Sequence, residues 1–145
     1  MSPAPNPADV VEQHVQAFLA LARSHPELGG DVFEGKVVNP PERYASVWAN
    51  NGVRQIERQD HRQLQITTRF TVHSVGTSLE RARWVAGRIM LQVLDVRPVI
   101  DGRACWPIRL GASLPADLDQ DIKPELYFGV DEFTLTSTPR RSTHG

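Results

Sequence analysis

Asp117, Asp119 and Asp121 stand at alternate positions, the one-three-five spacing that opens a calcium-binding loop, because alternate carboxylates can converge on one hard cation. The rest of such a loop is missing. Ile122 stands where its turn needs glycine, and Phe128 where a bidentate glutamate belongs. The run therefore reads as an acidic contact loop rather than a metal site. Cys105 is the only cysteine, which removes an intrachain disulfide and any thiolate-based zinc site. With His61 or His73 it could make a thiolate-imidazole pair. Its strand setting, followed by Trp106-Pro107, offers no helix N-terminus and no basic loop neighbour to lower its pKa, so it reads as a small buried hydrophobe. The chain has no H-E-x-x-H, no glycine-rich phosphate loop and no G-x-S-x-G elbow. These residues predict no catalysis, no metal and no cofactor.

Arg54, Arg58 and Arg62 recur every four residues and could follow a phosphate backbone. Glu57 and Asp60 interrupt them, and no aromatic residues interleave for base stacking. Arg54, Glu57, Arg58 and Arg62 read instead as a solvated arm or one that contacts a neighbouring protein, on an extended hairpin tip or a short helix. His14 falls within an apolar helical stripe with no partner motif, the usual setting of a packed, hydrogen-bonded histidine.

The elements that must position these residues are legible from periodicity. Ile66, Thr68, Phe70 and Val72 alternate with Gln65, Thr67, Arg69, Thr71 and His73, as in a strand with one dry and one wet face. At Gly76 this strand breaks into Thr77-Ser78-Leu79-Glu80, which reads as a capping box with Thr77 at the cap. In the helix that follows, Leu79, Ala82, Val85, Ala86, Ile89, Met90, Val93 and Leu94 form one apolar face. Trp84 and Leu91 fall on the far side with Glu80, Arg88 and Asp95. Two readings stand for Trp84: packing against a loop of its own chain, or a subunit contact formed by Trp84, Arg88, Leu91 and Asp95.

An earlier helix should open at Asn6-Pro7 and end at Ser24-His25-Pro26. Short strands are expected at Val32 to Glu34 and Tyr44 to Ala49. After the second helix, Pro98 to Ile100 and Arg103 to Leu110 should form a hairpin about Asp101-Gly102. Gly111 to Glu125 reads as a loop, and Leu126 to Thr136 as a last strand with a bulge near Asp131-Glu132. The expectation is an α+β fold, two helices on a mostly antiparallel sheet in the order helix, three strands, helix, three strands.

The 145 residues suit one domain, 1–145, with flexible ends expected at 1–6 and 139–145. A net charge of −1 gives no global field for nucleic acid. Its distribution is uneven, with a basic middle from Arg43 to Arg109 and an acidic end, an arrangement suited to head-to-tail contact between copies or to internal pairing. The N-terminal residues lack a signal-peptide pattern, and no segment approaches the length of a membrane span. The expected setting is the cytoplasm, or a particle assembled there.

Several runs together resemble the tail terminator proteins of long-tailed (siphovirus) bacteriophages, most closely those of phages infecting actinobacteria. They are Phe70-Thr71-Val72-His73-Ser74-Val75-Gly76 followed by Ala82-Arg83-Trp84-Val85, Asn50-Asn51-Gly52-Val53-Arg54 with Arg58 after it, and Asp101 to Ile108. The end of the chain matches in Asp117 to Asp121, Pro124 and Tyr127 to Asp131. The resemblance runs from about residue 7 to 138 and rests on the order and spacing of these motifs. It implies a ring-forming subunit, generally hexameric, on the head-proximal end of the tail tube. There it would end polymerisation of the major tail tube protein and offer a surface to head-completion or connector proteins, with DNA only as passing cargo and no membrane. The resemblance thus implies a virion protein, present in the host cytoplasm during assembly. The residues alone leave open a small cytoplasmic nucleic-acid-binding or regulatory domain.

Overall fold

The computed structural model describes residues 7–50, 53–56, 64–119 and 126–140. Helix α1 (Pro7–Ala22) starts at a proline, whose missing N–H costs nothing in a first helical turn. It buries Val10, Val15, Phe18, Leu19 and Ala22. A 3-10 turn (Gly29–Asp31) leads into β1 (Val32–Glu34), followed by β2 (Arg43–Ala49), β3 (Val53–Ile56) and β4 (Leu64–Gly76). Helix α2 (Leu79–Val93) precedes β5 (Arg103–Cys105), β6 (Arg109–Asp119) and β7 (Leu126–Pro139). All seven strands form one sheet in the order β1-β2-β4-β7-β5, with β3 also on β4 and β6 also on β7. Only the β1–β2 pair is parallel.

Both helices cover one face of this sheet. Phe18 of α1 stacks on Phe70 of β4 at 4.2 Å and meets Phe133 of β7 at 5.7 Å, which joins helix and two central strands in one aromatic contact. Ala82, Val85, Ile89 and Val93 supply the buried side of α2. As the alternation of β4 predicts, Ile66, Thr68, Phe70 and Val72 lie on the buried face.

Several expectations need correction. The order is helix, four strands, helix, three strands, because residues 53–56 add a strand by pairing with β4; of the two readings of this arm, hairpin or short helix, these residues take the hairpin. The cap of α2 is Ser78, whose Oγ accepts from the Arg81 amide at 3.2 Å. Thr77 cannot cap: its amide donates to the Glu42 carbonyl at 3.0 Å, prolonging the strand ladder by a residue, and its hydroxyl takes the Arg81 guanidinium at 2.5 Å. Leu79, expected on the dry face, is 38% exposed. At the other end, Asp95 lies beyond the helix in the left-handed region (φ 61°), its amide donating to the Ile108 carbonyl at 2.9 Å, so it is not on the helix's outer stripe.

The Asp101-Gly102 turn forms, with Gly102 at φ 75° and a bridge between Ile100 and Arg103. The strand after it stops at Cys105: the Trp106 amide still donates to the Thr136 carbonyl of β7 at 2.9 Å, but Pro107 has no amide to continue the ladder and Ile108 turns into the core. The expected loop from Gly111 is instead most of β6, paired with β7 as far as Asp119. The irregularities lie in β6, between Leu110 and Ser113 and between Leu114 and Asp117, while β7 pairs with β4 without a shift from Tyr127 to Ser137. The apparent change of parity in β7 has a physical cause. Asp131, a buried carboxylate accepting from the Ser113 hydroxyl, occupies an inward position that a hydrophobicity pattern assigns outward. Pro139 is no flexible end either, because it pairs with Arg103 and the next amide, that of Arg140, donates to Gly102.

Candidate assembly surfaces

On α2, Trp84 is half-buried and packs against the core. The guanidinium of Arg43, the first residue of β2, lies 3.7 Å from its ring centroid, that of Arg88 lies at 5.4 Å, and the His25 ring meets it edge-on at 5.7 Å. Cations over an indole face are attracted to its quadrupole, so the ring is held between a strand start, a loop and its own helix. Leu91 is 65% exposed, one turn and more beyond this cluster. The structure therefore brings Trp84 and Arg88 together, leaves Leu91 in solvent, and puts Asp95 in the turn that follows.

The opposite, helix-free face of the sheet holds a groove of ≈ 550 Å³. Tyr44, Ser46 and Trp48 of β2 form one wall, Thr71, His73 and Val75 of β4 the floor, and Phe128 of β7 the other side. The loop at Gly35-Lys36-Val37 closes its end. Gly35 adopts φ 74°, and its carbonyl accepts from the Ser46 hydroxyl at 2.5 Å, which fixes the loop to β2. His73 stacks on Phe128 at 6.1 Å and 12°, and Phe33 meets Tyr44 edge-on at 6.2 Å. Burial pushes the His73 imidazole down and the Tyr44 phenol up, so both are neutral near neutral pH. Trp48 remains 49% exposed. A groove of this lining suits apolar side chains better than chemistry. Periodicity treated the outward side of β4 as wet and left this groove unnoticed. The available signal was Tyr44 and Trp48 alternating against Ala45 and Val47.

The arm and the acidic run are only partly within the described residues. Arg54 is on β3, in register with Ile66, whereas Glu57, Arg58 and Arg62 lie outside the described residues. Asp117 and Asp119 belong to β6, opposite Phe128 and Leu126, and Asp121 lies outside the described residues. Residues 109–114 of β6 are exposed one after another, including Leu110 at 37% and Leu114 at 63%.

The buried titratable groups are structural in their geometry. His14, fully buried, bonds Thr68 Oγ1 through Nδ1 at 2.8 Å and Ser137 Oγ through Nε2 at 2.6 Å. Ser137 also accepts from Arg103, at 3.0 Å on its hydroxyl and 2.9 Å on its carbonyl. Burial above all, with the Arg103 charge, lowers the His14 pKa to about 4, leaving a neutral ring. Burial raises the Cys105 thiol despite the opposing charges of Arg103, Arg140 and Arg97, so the thiolate is disfavoured. His73 pairs with Val130 and Cys105 with Ser137, seven positions along β7, which is roughly 23 Å at strand rise. No thiolate-imidazole pair forms between them, and His61 lies outside the described residues. Among the described residues no group of three or more His, Cys, Asp or Glu could hold a metal ion, and no helix is long and apolar enough to cross a membrane.

No family model and no curated protein matches the sequence. Solved structures do. A chain of the virion of a native gene transfer agent (GTA) particle superposes with a TM-score of 0.60 at 13% identity, over 92% of this chain and 98% of that one. A second solved chain, whose name states no function, gives 0.55 at 17% identity, over 90% and 97%. What is shared is the fold. The likeness extends over nearly the full length of both neighbours.

Proposed function

We propose that this chain is a structural virion subunit of the tail-terminator type, which forms a ring, generally of six copies, at the head-proximal end of a tail tube. The observation that carries the reading is the recurrence of the fold over 98% of a chain in a gene transfer agent virion. The motif resemblance from about residue 7 to 138 supports the finer role: the ring ends polymerisation of the tube protein and receives the head-completion proteins. The chemistry of the surfaces agrees with an assembly role, since an uncovered aromatic groove and an exposed strand are features of contact surfaces. Leu91 and the rim of the Trp84 cluster, the arm at Arg54, Glu57, Arg58 and Arg62, and the acidic residues Asp117, Asp119 and Asp121 are assigned to contacts with neighbouring subunits or the tube. The nucleic-acid-binding alternative gains no observation: of the residues lining the groove, Lys36 is the one lysine or arginine, where a base-stacking platform needs a cationic track.

The test is light scattering after size exclusion, followed by negative-stain imaging of the protein alone and mixed with polymerising tube protein. Rings on tube ends, with tubes of arrested length, are expected. A strict, concentration-independent dimer that never joins a tube overturns the reading.

A further inference from the structure

Asp131 shares the inward side of β7 with Phe133 and Leu135, and is 5% exposed. A carboxylate in such a place needs a charged or hydrogen-bonding partner. Among the described residues it has one, the Ser113 hydroxyl on Oδ1, and no cation within 4 Å; the ion pair found among them joins Arg81 and Glu42. Beside Asp131 the two layers stand apart. A pocket of ≈ 300 Å³ opens between Ala86, Gly87 and Met90 of α2, Leu114 of β6, and Gly129 and Asp131 of β7. Glycine is disfavoured inside a helix, and a Cβ at Gly87 would meet nothing within 4 Å, so packing in the subunit does not call for it. Arg83, exposed at the mouth, completes the site. From helix to sheet edge the pocket thus presents a base, a buried acid without a cation, and the 63% exposed Leu114.

One loop of the same chain carries the complement. At the end of β1 and beyond it, Glu34, Lys36 and Val38 are exposed at alternate positions, with Gly35 and Val37 half-buried between them. Gly35 holds the loop in place, its amide donating to the Val47 carbonyl at 2.9 Å and its carbonyl accepting from Ser46. Lys36 cannot serve the pocket of its own chain. It lines the groove on the helix-free face, and β1 lies three strand spacings, about 14 Å, from β7. We propose that the 34–38 loop of one copy docks at the α2–β6 pocket of the next, with Lys36 on Asp131, Glu34 facing Arg83 and Val38 against Leu114; this rests on the ring reading above and names a contact between neighbouring copies. The three members match in order and in sign. Because Ser113 engages Oδ1, no matched pair of free oxygens is left for a guanidinium fork, and the compact ammonium of lysine suits the site. The contact joins two different patches, so it is heterologous and propagates from copy to copy until the rotation closes.

The test uses full-length variants, checked for folding by circular dichroism and compared by sedimentation under conditions where the wild-type chain assembles. Lys36→Gln and Asp131→Asn each remove one charge of the anchor, and the asparagine keeps an acceptor for Ser113. Each should weaken assembly about thirtyfold or more, the loss expected when one partner of a buried charge pair is removed. Glu34→Arg should weaken it about fivefold or less, as an exposed pair would, and Arg83→Glu in the same chain should restore it. Gly87→Leu fills the pocket and leaves the loop intact. Mixed in equal amounts with Lys36→Glu, it should give a heterodimer and nothing larger, because one intact loop and one intact pocket remain. Assembly of folded Lys36→Gln or Asp131→Asn at wild-type strength overturns the contact and leaves the ring reading standing; where only Asp131→Asn is weakened, the pocket belongs to another base. A wild-type chain that stays monomeric both alone and on tube ends overturns both. If Asp131→Asn or Gly87→Leu fails to fold, Lys36→Gln and the Glu34 and Arg83 charge exchange decide, and lack of rescue counts against the contact.

Discussion

His14 pins together α1, β4 and β7 through two hydrogen bonds that its neutral ring alone satisfies in this arrangement. Ser137 already accepts from Arg103, so its own proton goes to His14 Nε2, and Nδ1–H goes to Thr68. Because the folded pKa is lowered from 6.5 to about 4, the unfolded chain binds more protons between those values, and stability rises with pH across that window. The stabilisation is complete above pH 6.5 and is lost as pH falls toward 4, amounting to roughly 3 kcal/mol at most. Urea midpoints measured from pH 7 to 4 should fall accordingly, and a His14→Gln chain, less stable at pH 7, should lose most of that slope. Gly76 is a second residue-scale constraint. A Cβ there would lie 2.6 Å from the Ala82 amide nitrogen and 2.6 Å from Arg81 Cβ, in the first turn of α2. Gly76→Ala should therefore cost about 1–3 kcal/mol in equilibrium unfolding. Both residues were visible in the sequence as singular, one a histidine in an apolar stripe and the other a glycine at a strand-helix break. Their partners were not, because Thr68, Ser137 and Arg103 are ordinary strand residues until the sheet brings them together.

At the scale of elements, α2 separates two roles that its helical wheel merged. Trp84 is anchored by Arg43, Arg88 and His25 of its own chain, so Trp84→Ala should lower the thermal midpoint of the isolated subunit. A loss of about 1–3 kcal/mol is expected for a half-buried aromatic with cation contacts. Leu91→Lys, at an exposed position, should change that midpoint by no more than about 0.5 kcal/mol equivalent, and any defect it shows should appear only in ring yield by light scattering. The wheel placed both residues correctly in angle. It could not know that Arg43 and His25, from 41 and 59 residues earlier, cover one and not the other. Strand β6 was missed for a related reason: from 109 to 114 arginine, glycine, alanine and serine stand among leucines at positions that are all exposed, so burial imposes no period-two pattern there. Asp131 was misplaced because one hydroxyl, that of Ser113, satisfies a carboxylate on the inward side of β7.

For the whole molecule, the uneven charge of the chain predicts how assembly responds to salt. Exposed pairs contribute only about 0.2–1 kcal/mol each and are screened beyond roughly 10 Å at 0.1 M salt. Changing Arg54, Arg58 and Arg62 together to Gln should loosen ring formation and flatten its salt dependence while leaving the circular dichroism of the subunit unchanged. Equal ring yield across a salt series would remove the arm from the assembly. The fold class was legible because two long amphipathic segments and a strictly alternating strand dominate the chain, whereas the groove depends on which strands become neighbours. That neighbourhood has one more effect. Strand β7, the last in the described chain, lies in the middle of the sheet between β4 and the pair β5 and β6. Its long-range pairings close loops of up to about 70 residues, so the molecule should fold slowly, and the sheet cannot be completed before β7 has been made. A chain cut before Leu126 should fail protease-resistance assays outright. A chain truncated there then lacks the Phe128 side of the helix-free groove, so that surface is complete only once the last described strand is in place.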